Sequence, residues 1–463
     1  MELSFKRYDK DTLLHHVGNV LIVLSIANIV PIVFALLFEE SLAFKLLMVF
    51  ETVIIYVIGY VLSRRYQPGS VSLVEAMTIM VFAFLIPPFM MLFPLLTKGV
   101  DLIDALFEGV SSITTTGLSC LPPSLIDPTV NFIRSYYQWV GGLGIAFFTL
   151  TVLVPPGSAA YNIYLAHLGK VRISPLSRKN VIEILKIYSV LTFSAFITYL
   201  VFGMNMYSAV INALTTVSTG GFSTYAIFPS NLLLAVTLFM FVSAQPLVSY
   251  YMLLKYRRRR IFSSQLVSFT VGVLIGSIIL SMVSGIPLMK SIFETVSAAS
   301  TTGYTSFNLA DSDDLTRFVL VILMLSGACL GSTGGGIKQL RIIILIKSFI
   351  RHIKQTLTPK GTILPIKVSG EIIQDDDIKL AYNLLFIYLL VLVMSTLIFT
   401  MYGYSLSSSL FETASALATT GLSVGLSSWQ LAAPLKIVLI IDMWLGRVEI
   451  IPFIVVFYNL FHK

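Results

Sequence analysis

Charge is what this sequence has least of. Only 12% of its residues are Asp, Glu, Lys or Arg, about half the roughly 25% usual in a water-soluble chain. Cysteine is scarce as well. Cys120 and Cys329 stand far apart in dissimilar surroundings, which excludes a disulfide scaffold and any CxxC metal or redox site. The histidines are scattered, with His15-His16 the only adjacent pair, a structural or interfacial pattern rather than a set of metal ligands. Alternation of apolar and polar residues with period two is missing, so a membrane barrel is excluded and any spanning segment must be helical.

Apolar surface is present in excess. Of 463 residues, 56% are hydrophobic, and the mean hydropathy is +0.88. No water-soluble arrangement buries that much apolar surface at this length, so the chain reads as an integral membrane protein. Disordered, fibrous and nucleic-acid-binding classes are excluded by the same composition. The first residues, MELSFKRYDKDTLLHH, are polar and amphipathic, and the apolar run that follows is long enough for a full span, so no cleavable signal is expected.

Long apolar runs fall at 17–37, 43–62, 74–96, 131–154, 182–202, 232–254, 266–286, 317–349, 380–402 and 434–457. Each approaches or exceeds the roughly 20 residues that cross a bilayer as a helix, which predicts ten spans. The run at 317–349 is too long for one plain span and carries a glycine cluster in its middle. Ten spans put both termini on one side. With the termini inside, 24 of the 31 basic residues lie in or beside cytoplasmic segments. Lys45, Lys98, Arg134, Lys290, Arg317 and Lys436 then lie outside, and Arg447 lies within a span. The reverse orientation would expose Arg257 to Arg260 outside, against the positive-inside rule. The net charge of +8 is therefore mainly a topology signal, with some of it available to anionic headgroups.

Four stretches between outgoing and returning spans are too apolar for exposed loops and too short to cross. They are 107–119 FEGVSSITTTGLS, 211–223 INALTTVSTGGFS, 293–305 FETVSAASTTGYT and 411–423 FETASALATTGLS, and they align without gaps. This is an internal repeat of a helix, re-entrant loop and helix, used four times. Each small-residue run predicts a short descending helix, with Glu108, Glu294 and Glu412 near its N-terminus, where the helix dipole favours a carboxylate. Its negative C-terminal end then points to the membrane centre and favours a cation. The Thr- and Gly-rich stretch that follows must be non-helical, which is tolerated at that depth only beside a water-filled path. Four such stretches on one axis would form a ring of carbonyl oxygens able to replace a cation's hydration shell.

On these four segments the chain resembles the Trk/Ktr/HKT superfamily of potassium transporters, whose membrane subunits join four channel-like units in one chain. The resemblance covers nearly the whole sequence. It implies potassium binding by backbone carbonyls of Thr115-Thr116-Gly117, Thr219-Gly220-Gly221, Thr301-Thr302-Gly303 and Thr419-Thr420-Gly421. In the family, glycine at all four aligned positions accompanies potassium selectivity, and serine in the first filter accompanies sodium permeability. Gly117 holds that first position here.

The cluster Gly331-Ser332-Thr333-Gly334-Gly335-Gly336-Ile337-Lys338 resembles the family's intramembrane gating loop. A nucleotide-phosphate loop is excluded, since Ile337 separates Gly336 from Lys338 and no strand precedes it. Arg447, in MWLGRVEI, is a costly charge inside a span. The resemblance places it below the filter, where it helps the loop restrict the pore, with Asp442 as an orienting neighbour. A structural pair with Glu449 or Asp442 is the bland alternative, at unfavourable helical spacing. Gln245-Pro246 departs from the family pattern, so no gating role is carried over to it. The two helices preceding the four units resemble the TrkH branch.

The fold expected is therefore an all-α polytopic membrane protein with four tandem helix–pore loop–helix units around a pseudo-four-fold pore, after a two-helix hairpin. The boundaries are 1–66 for the hairpin, then 67–180, 181–262, 263–375 with the gating loop, and 376–463. The function expected is potassium uptake, with potassium as substrate, no cofactor in this chain and no enzymatic activity. The resemblance further implies a homodimer in the plasma membrane of a prokaryote and a separate cytoplasmic, nucleotide-binding, TrkA-like regulatory subunit. No cytoplasmic segment exceeds roughly 30 residues, against about 100 for a nucleotide-binding domain. Segments 155–181, 255–263 and 351–379 are the docking surfaces expected, together with the basic residues Lys338, Arg341, Lys347, Arg351 and Lys354. Asp101, Asp104, Asp311, Asp313 and Asp314 would either gather cations at the mouth or merely solvate loops. A secondary carrier with alternating access is the leading rival, but it needs inverted repeats. An intramembrane enzyme needs a catalytic pair spread over spans, whereas Arg447, Asp442 and Glu449 share one helix.

Overall fold

The computed structural model describes residues 9–38, 40–148, 178–256, 264–359, 362 and 364–461. The segments 149–177 and 257–263, and with them most of two expected docking surfaces and the four consecutive arginines, lie outside the described residues. The chain opens with α1 (Lys10–Ala27), α2 (Ile29–Leu37) and α3 (Leu42–Arg65), followed by α4 (Leu73–Leu85) and α5 (Phe89–Leu96). The remaining helices are α6 (Leu102–Ile113), α7 (Pro128–Phe148), α8 (Arg178–Val201), α9 (Met206–Val217), α10 (Leu233–Ser243), α11 (Leu247–Tyr256) and α12 (Ser264–Met282). They continue as α13 (Leu288–Ser300), α14 (Asp314–Ser326), α15 (Gln339–Thr356), α16 (Asp375–Met401), α17 (Leu406–Leu417), α18 (Ala433–Arg447) and α19 (Ile450–Phe461).

Among the described residues, six helical stretches are long and apolar enough to cross a membrane: Lys10–Leu37, Leu42–Arg65, Leu73–Leu96, Ile182–Val201, Ser264–Met282 and Asp375–Met401. The chain is thus a multi-pass membrane protein. Burial separates these stretches into two classes. Only 22% of the apolar window of α3 is buried, against 67% for the α4–α5 stretch. Side chains such as Phe193, Val190 and Phe386 are exposed on the outer helices, as a lipid-facing surface requires. The α4–α5 stretch is an inner element, covered on one side by the hairpin. In that hairpin α1 and α3 meet glycine to glycine. A Cβ on Gly59 would come within 2.8 Å of the Gly18 carbonyl oxygen, so the contact admits only small residues. Asn28 ties the hairpin to the body, donating to Thr52 Oγ1 at 2.8 Å and accepting from the Tyr137 hydroxyl at 2.6 Å.

The apolar runs at 232–254, 317–349 and 434–457 do not form single helices. The first is interrupted at Gln245-Pro246, the second from Gly327 to Lys338, and the third at Val448-Glu449. Proline explains the first break, having no N–H to give the helix. Glycines at positive φ explain the second, and Glu449, itself at φ 56°, marks the third. A fourth break at Pro87-Pro88 separates α4 from α5. Hydropathy alone gives no sign of the last two, because the breaks interrupt hydrogen bonding rather than apolarity.

Among the described residues, one β-hairpin stands apart from the helices. Lys367–Val368 pairs antiparallel with Glu371–Ile372 around a two-residue turn of Ser369 and Gly370, both at positive φ, the backbone that tight hairpins need. Ile366 and Val368 pack from it against Leu340, Ile343 and Ile344 of α15.

Candidate functional site

The short helices α6, α9, α13 and α17 end in the same way. Thr115, Thr219, Thr301 and Thr419 follow their last turns in the left-handed region at φ 55°, 53°, 57° and 50°. A β-branched residue resists that conformation, and a paired helix-end bond holds it here. The next N–H returns five residues, from Thr116 to Ser111, Gly220 to Thr215, Thr302 to Ser297 and Thr420 to Ser415, at 3.0, 2.7, 2.9 and 2.8 Å. Two residues after each left-handed threonine comes Gly117, Gly221, Gly303 or Gly421, all with φ between 86° and 91°.

These four stretches close on one another. A Cβ on Gly117 would strike the Gly220 carbonyl oxygen, one on Gly221 that of Thr302, one on Gly303 that of Thr420, and one on Gly421 that of Thr116. The order runs first to second to third to fourth and back to the first. All twelve sequence-identified residues are therefore brought together in one ring. Every threonine among them is fully buried, and the hydroxyls of Thr115, Thr419 and Thr420 have no hydrogen-bond partner.

The glutamates of the repeat are not at helix N-termini. Each helix starts several residues earlier, beginning at Leu102, Met206, Leu288 and Leu406, which leaves the aligned position mid-helix; Asn205 and Ser405 cap the second and fourth by their side chains. From there each side chain holds the chain that climbs away from the ring. Glu108 accepts from the Ser119 hydroxyl at 2.7 Å and the Cys120 N–H at 2.8 Å. Glu294 accepts from the N–H and hydroxyl of Ser306 at 2.5 and 2.8 Å. Glu412 accepts from the Ser423 hydroxyl at 2.7 Å and the Ser427 N–H at 2.8 Å. Asn212 replaces glutamate in the second copy and accepts from the Ser223 hydroxyl at 2.7 Å. Arg134 on α7 completes the first clamp, 2.9 Å from Glu108.

The loop from Gly327 to Lys338 lies directly against the ring. Gly335 donates its N–H to Thr301 Oγ1 at 2.7 Å, and Thr333 Oγ1 donates to the Val217 carbonyl at 3.1 Å. Side chains on Gly334 and Gly335 would collide with the Ser300 and Ala418 carbonyls, so bare backbone is what fits. Leu247 N–H is satisfied by the Gly331 carbonyl and Cys329 N–H by that of Ala244, each at 3.0 Å. The break at Gln245-Pro246 thus receives the loop.

Arg447 is fully buried and reaches that loop, donating to the Thr333 carbonyl at 2.8 Å and to the Gly141 carbonyl at 3.0 Å. Neither candidate carboxylate pairs with it. Glu449 pairs with Arg341, and Asp442 accepts from the Ser395 hydroxyl at 2.8 Å, so Asp442 does not orient the arginine. The expected basic docking cluster is also mostly engaged within the chain. Lys338 is buried and donates to the Gly334 carbonyl, Arg341 is paired, Lys347 donates to the Lys367 carbonyl at 2.6 Å, and Arg351 pairs with Asp375 at 3.0 Å. Among the acidic residues, Asp104 is buried against Lys436 at 2.5 Å and is not a free mouth charge. The Thr316 hydroxyl beside Asp313 holds its carboxyl below the usual carboxylate range.

Comparison with known proteins places this geometry. A family model described as TrkH, cation transport protein, matches residues 70–244 and 231–462. The chain belongs to the TrkH family. A Trk system potassium uptake protein TrkH of Halomonas elongata is 30% identical over 76% of this chain and 78% of its own length. An uncharacterized cation transporter of Methanocaldococcus jannaschii is 29% identical, covering 98% of this chain and 97% of its own. The crystal structure of the potassium transporter TrkH from Vibrio parahaemolyticus superposes with a TM-score of 0.84 over 98% of this chain and 100% of its own, at 22% identity. That likeness establishes a TrkH fold.

Several residues that hold this TrkH-family ring are not apparent from the sequence. Arg134, Gln138 and Gly141 lie on one face of α7 at helical spacing, and each meets a different part of the site. Lys436 and Asp104 pair across the first and fourth copies. The available signal was the presence of charged and amide residues in apolar runs, but spacing does not reveal their partners. Replacing Arg134 with Leu leaves Glu108 a buried, uncompensated carboxylate, with an expected loss of about 3–5 kcal/mol. Thermal unfolding of the purified protein checks this, and adding Glu108→Gln should recover part of the loss.

Proposed function

We propose that this chain takes up potassium by conducting it down its electrochemical gradient through a filter of backbone carbonyls. The observation that carries the reading is the closed ring, in which each aligned glycine packs against a carbonyl of the next copy. Carbonyls held in such a ring replace the hydration shell of a cation, and four helix C-terminal ends aimed at it add negative potential. Relatives named for potassium uptake support potassium as the ion. The four copies act as pore units with the boundaries given above, and the first two spans form an added hairpin. A carrier with inverted repeats fits this cyclic order poorly. The membrane is the inner membrane of a prokaryote, with both termini cytoplasmic, and the working form is a homodimer.

The loop 331–336 and Arg447 form the barrier. Arg447 sets a guanidinium beside the path while fixing the loop by the Thr333 carbonyl. The loop is bistable because glycines at 331, 334, 335 and 336 leave few side chains to fix it. A separate nucleotide-binding subunit regulates it from the cytoplasmic side through α15.

Three measurements on purified protein in liposomes test this. Gly117→Ser places a side chain against the Gly220 carbonyl, and the potassium-to-sodium permeability ratio should fall about tenfold, equivalent to about 1.4 kcal/mol. An unchanged ratio would remove Gly117 from the filter. Arg447→Ala should raise potassium flux several-fold, whereas Arg447→Lys, which keeps the charge, should not. Equal or lower flux in well-folded Arg447→Ala makes the arginine structural. Finally, ATP, ADP or NADH added to this chain alone should leave its flux unchanged, since regulation belongs to the partner.

A further inference from the structure

The four ring stretches differ at one place. Where the first, third and fourth carry Thr116, Thr302 and Thr420, the second carries Gly220. Gln138 of α7, fully buried, occupies the missing volume. A Cβ on Gly220 would come within 2.8 Å of Gln138 Cβ and closer still to its amide group. That amide donates from Nε2 to the Gly220 carbonyl and accepts at Oε1 from the Phe222 N–H at 3.3 Å. The two bonds set the amide's orientation, because the flipped form would place oxygen against oxygen and donor against donor.

The hydroxyls of the first and third copies act differently, and that of Thr420 in the fourth has no hydrogen-bond partner. Thr116 Oγ1 bonds Thr114 Oγ1 at 2.8 Å, and Thr302 Oγ1 bonds Ser300 Oγ at 2.7 Å. Each of these stretches braces itself, whereas the second is braced by another copy. One helical turn before Gln138, Arg134 sits 4.1 Å over the Phe222 ring. The Gly220 carbonyl is also the oxygen on which Gly117 packs, so Gln138 acts on a member of the ring.

We infer that Gln138 is a positioning residue for ion selectivity: a side chain of the first copy that sets the place and hydrogen-bonding state of one ring carbonyl in the second. The inference rests on reading the ring as the filter. An amide donor occupies one of the two lone pairs of the Gly220 oxygen, which weakens the field this oxygen presents to an ion. It also restrains Gly220-Gly221, the only stretch of the four with adjacent glycines and hence the freest backbone. Without the restraint this quadrant can close around a smaller cation.

The test uses the full chain in liposomes, with potassium and sodium flux measured separately, and potassium-dependent thermal stabilisation as a readout without transport. Gln138→Met keeps the size and removes both bonds. It should lower the potassium-to-sodium ratio about fivefold to tenfold and shrink the stabilisation given by potassium chloride over sodium chloride. Gly220→Thr alone should lose most flux through collision with Gln138. Combined with Gln138→Ala, which vacates the space, it should return to within about threefold of wild type, a non-additivity expected only of contacting residues. If Gln138→Met keeps both the ratio and the thermal shift of wild type, the inference is overturned. It is overturned equally if Gly220→Thr is as impaired with Gln138→Ala as without it, and this pair decides alone should Gln138→Met not fold. A wild-type chain without preference for potassium would instead refute the filter reading itself.

Discussion

Four lengths of backbone without strand or helix partners lie in the interior of a membrane protein, and in the proposed filter their carbonyls face an ion, that of Gly220 while also accepting from Gln138. Unsatisfied backbone in an apolar medium costs several kcal/mol per group. The surrounding structure is organised to hold these carbonyls in place. Left-handed threonines turn the chain off each short helix, an N–H to carbonyl bond five residues back locks the turn, and a mid-helix carboxylate or amide grips the returning strand. Each glycine then allows the next copy to approach without a side chain between them. The geometry is thus made from helix ends and hydroxyls, with every copy bearing on its neighbour.

The copies are not equivalent, and the differences point to division of labour. The first copy supplies α7, whose one face carries Arg134 to the Glu108 clamp, Gln138 to the second copy's ring and the Gly141 carbonyl to Arg447. The third copy supplies Tyr304, whose hydroxyl meets those of Thr215 and Thr216 at 2.5 and 3.1 Å, and also the loop beneath the ring. The fourth supplies Arg447 and, through Glu449, the partner of Arg341 on the far side of that loop. Two of the helix breaks, at Lys338 and Glu449, carry a charged residue at positive φ. Both lie where a half-helix must turn relative to the ring, a setting in which backbone strain is held by surrounding contacts.

The four-fold repeat, the threonine and glycine register, the interrupted eighth run and six of the ten expected spans, those that form long apolar helices among the described residues, are legible in the sequence because each is a local pattern. Apolarity over about 20 residues, glycine where φ must be positive, and four alignable segments require no knowledge of what touches what. The glutamates were legible as a repeated feature but not in their role, since each helix starts six residues before its glutamate, at Leu102, Leu288 and Leu406, and the partners on the returning chain are set by the tertiary fold. The partners were decided by tertiary structure. Arg447 reaches carbonyls 114 and 306 residues away, Gln138 one 82 residues away, and Arg341 a carboxylate 108 residues away. A carbonyl acceptor has no side-chain identity, so no residue type at the far end announces such a bond. The bond exists only because helices from different copies are packed into one ring.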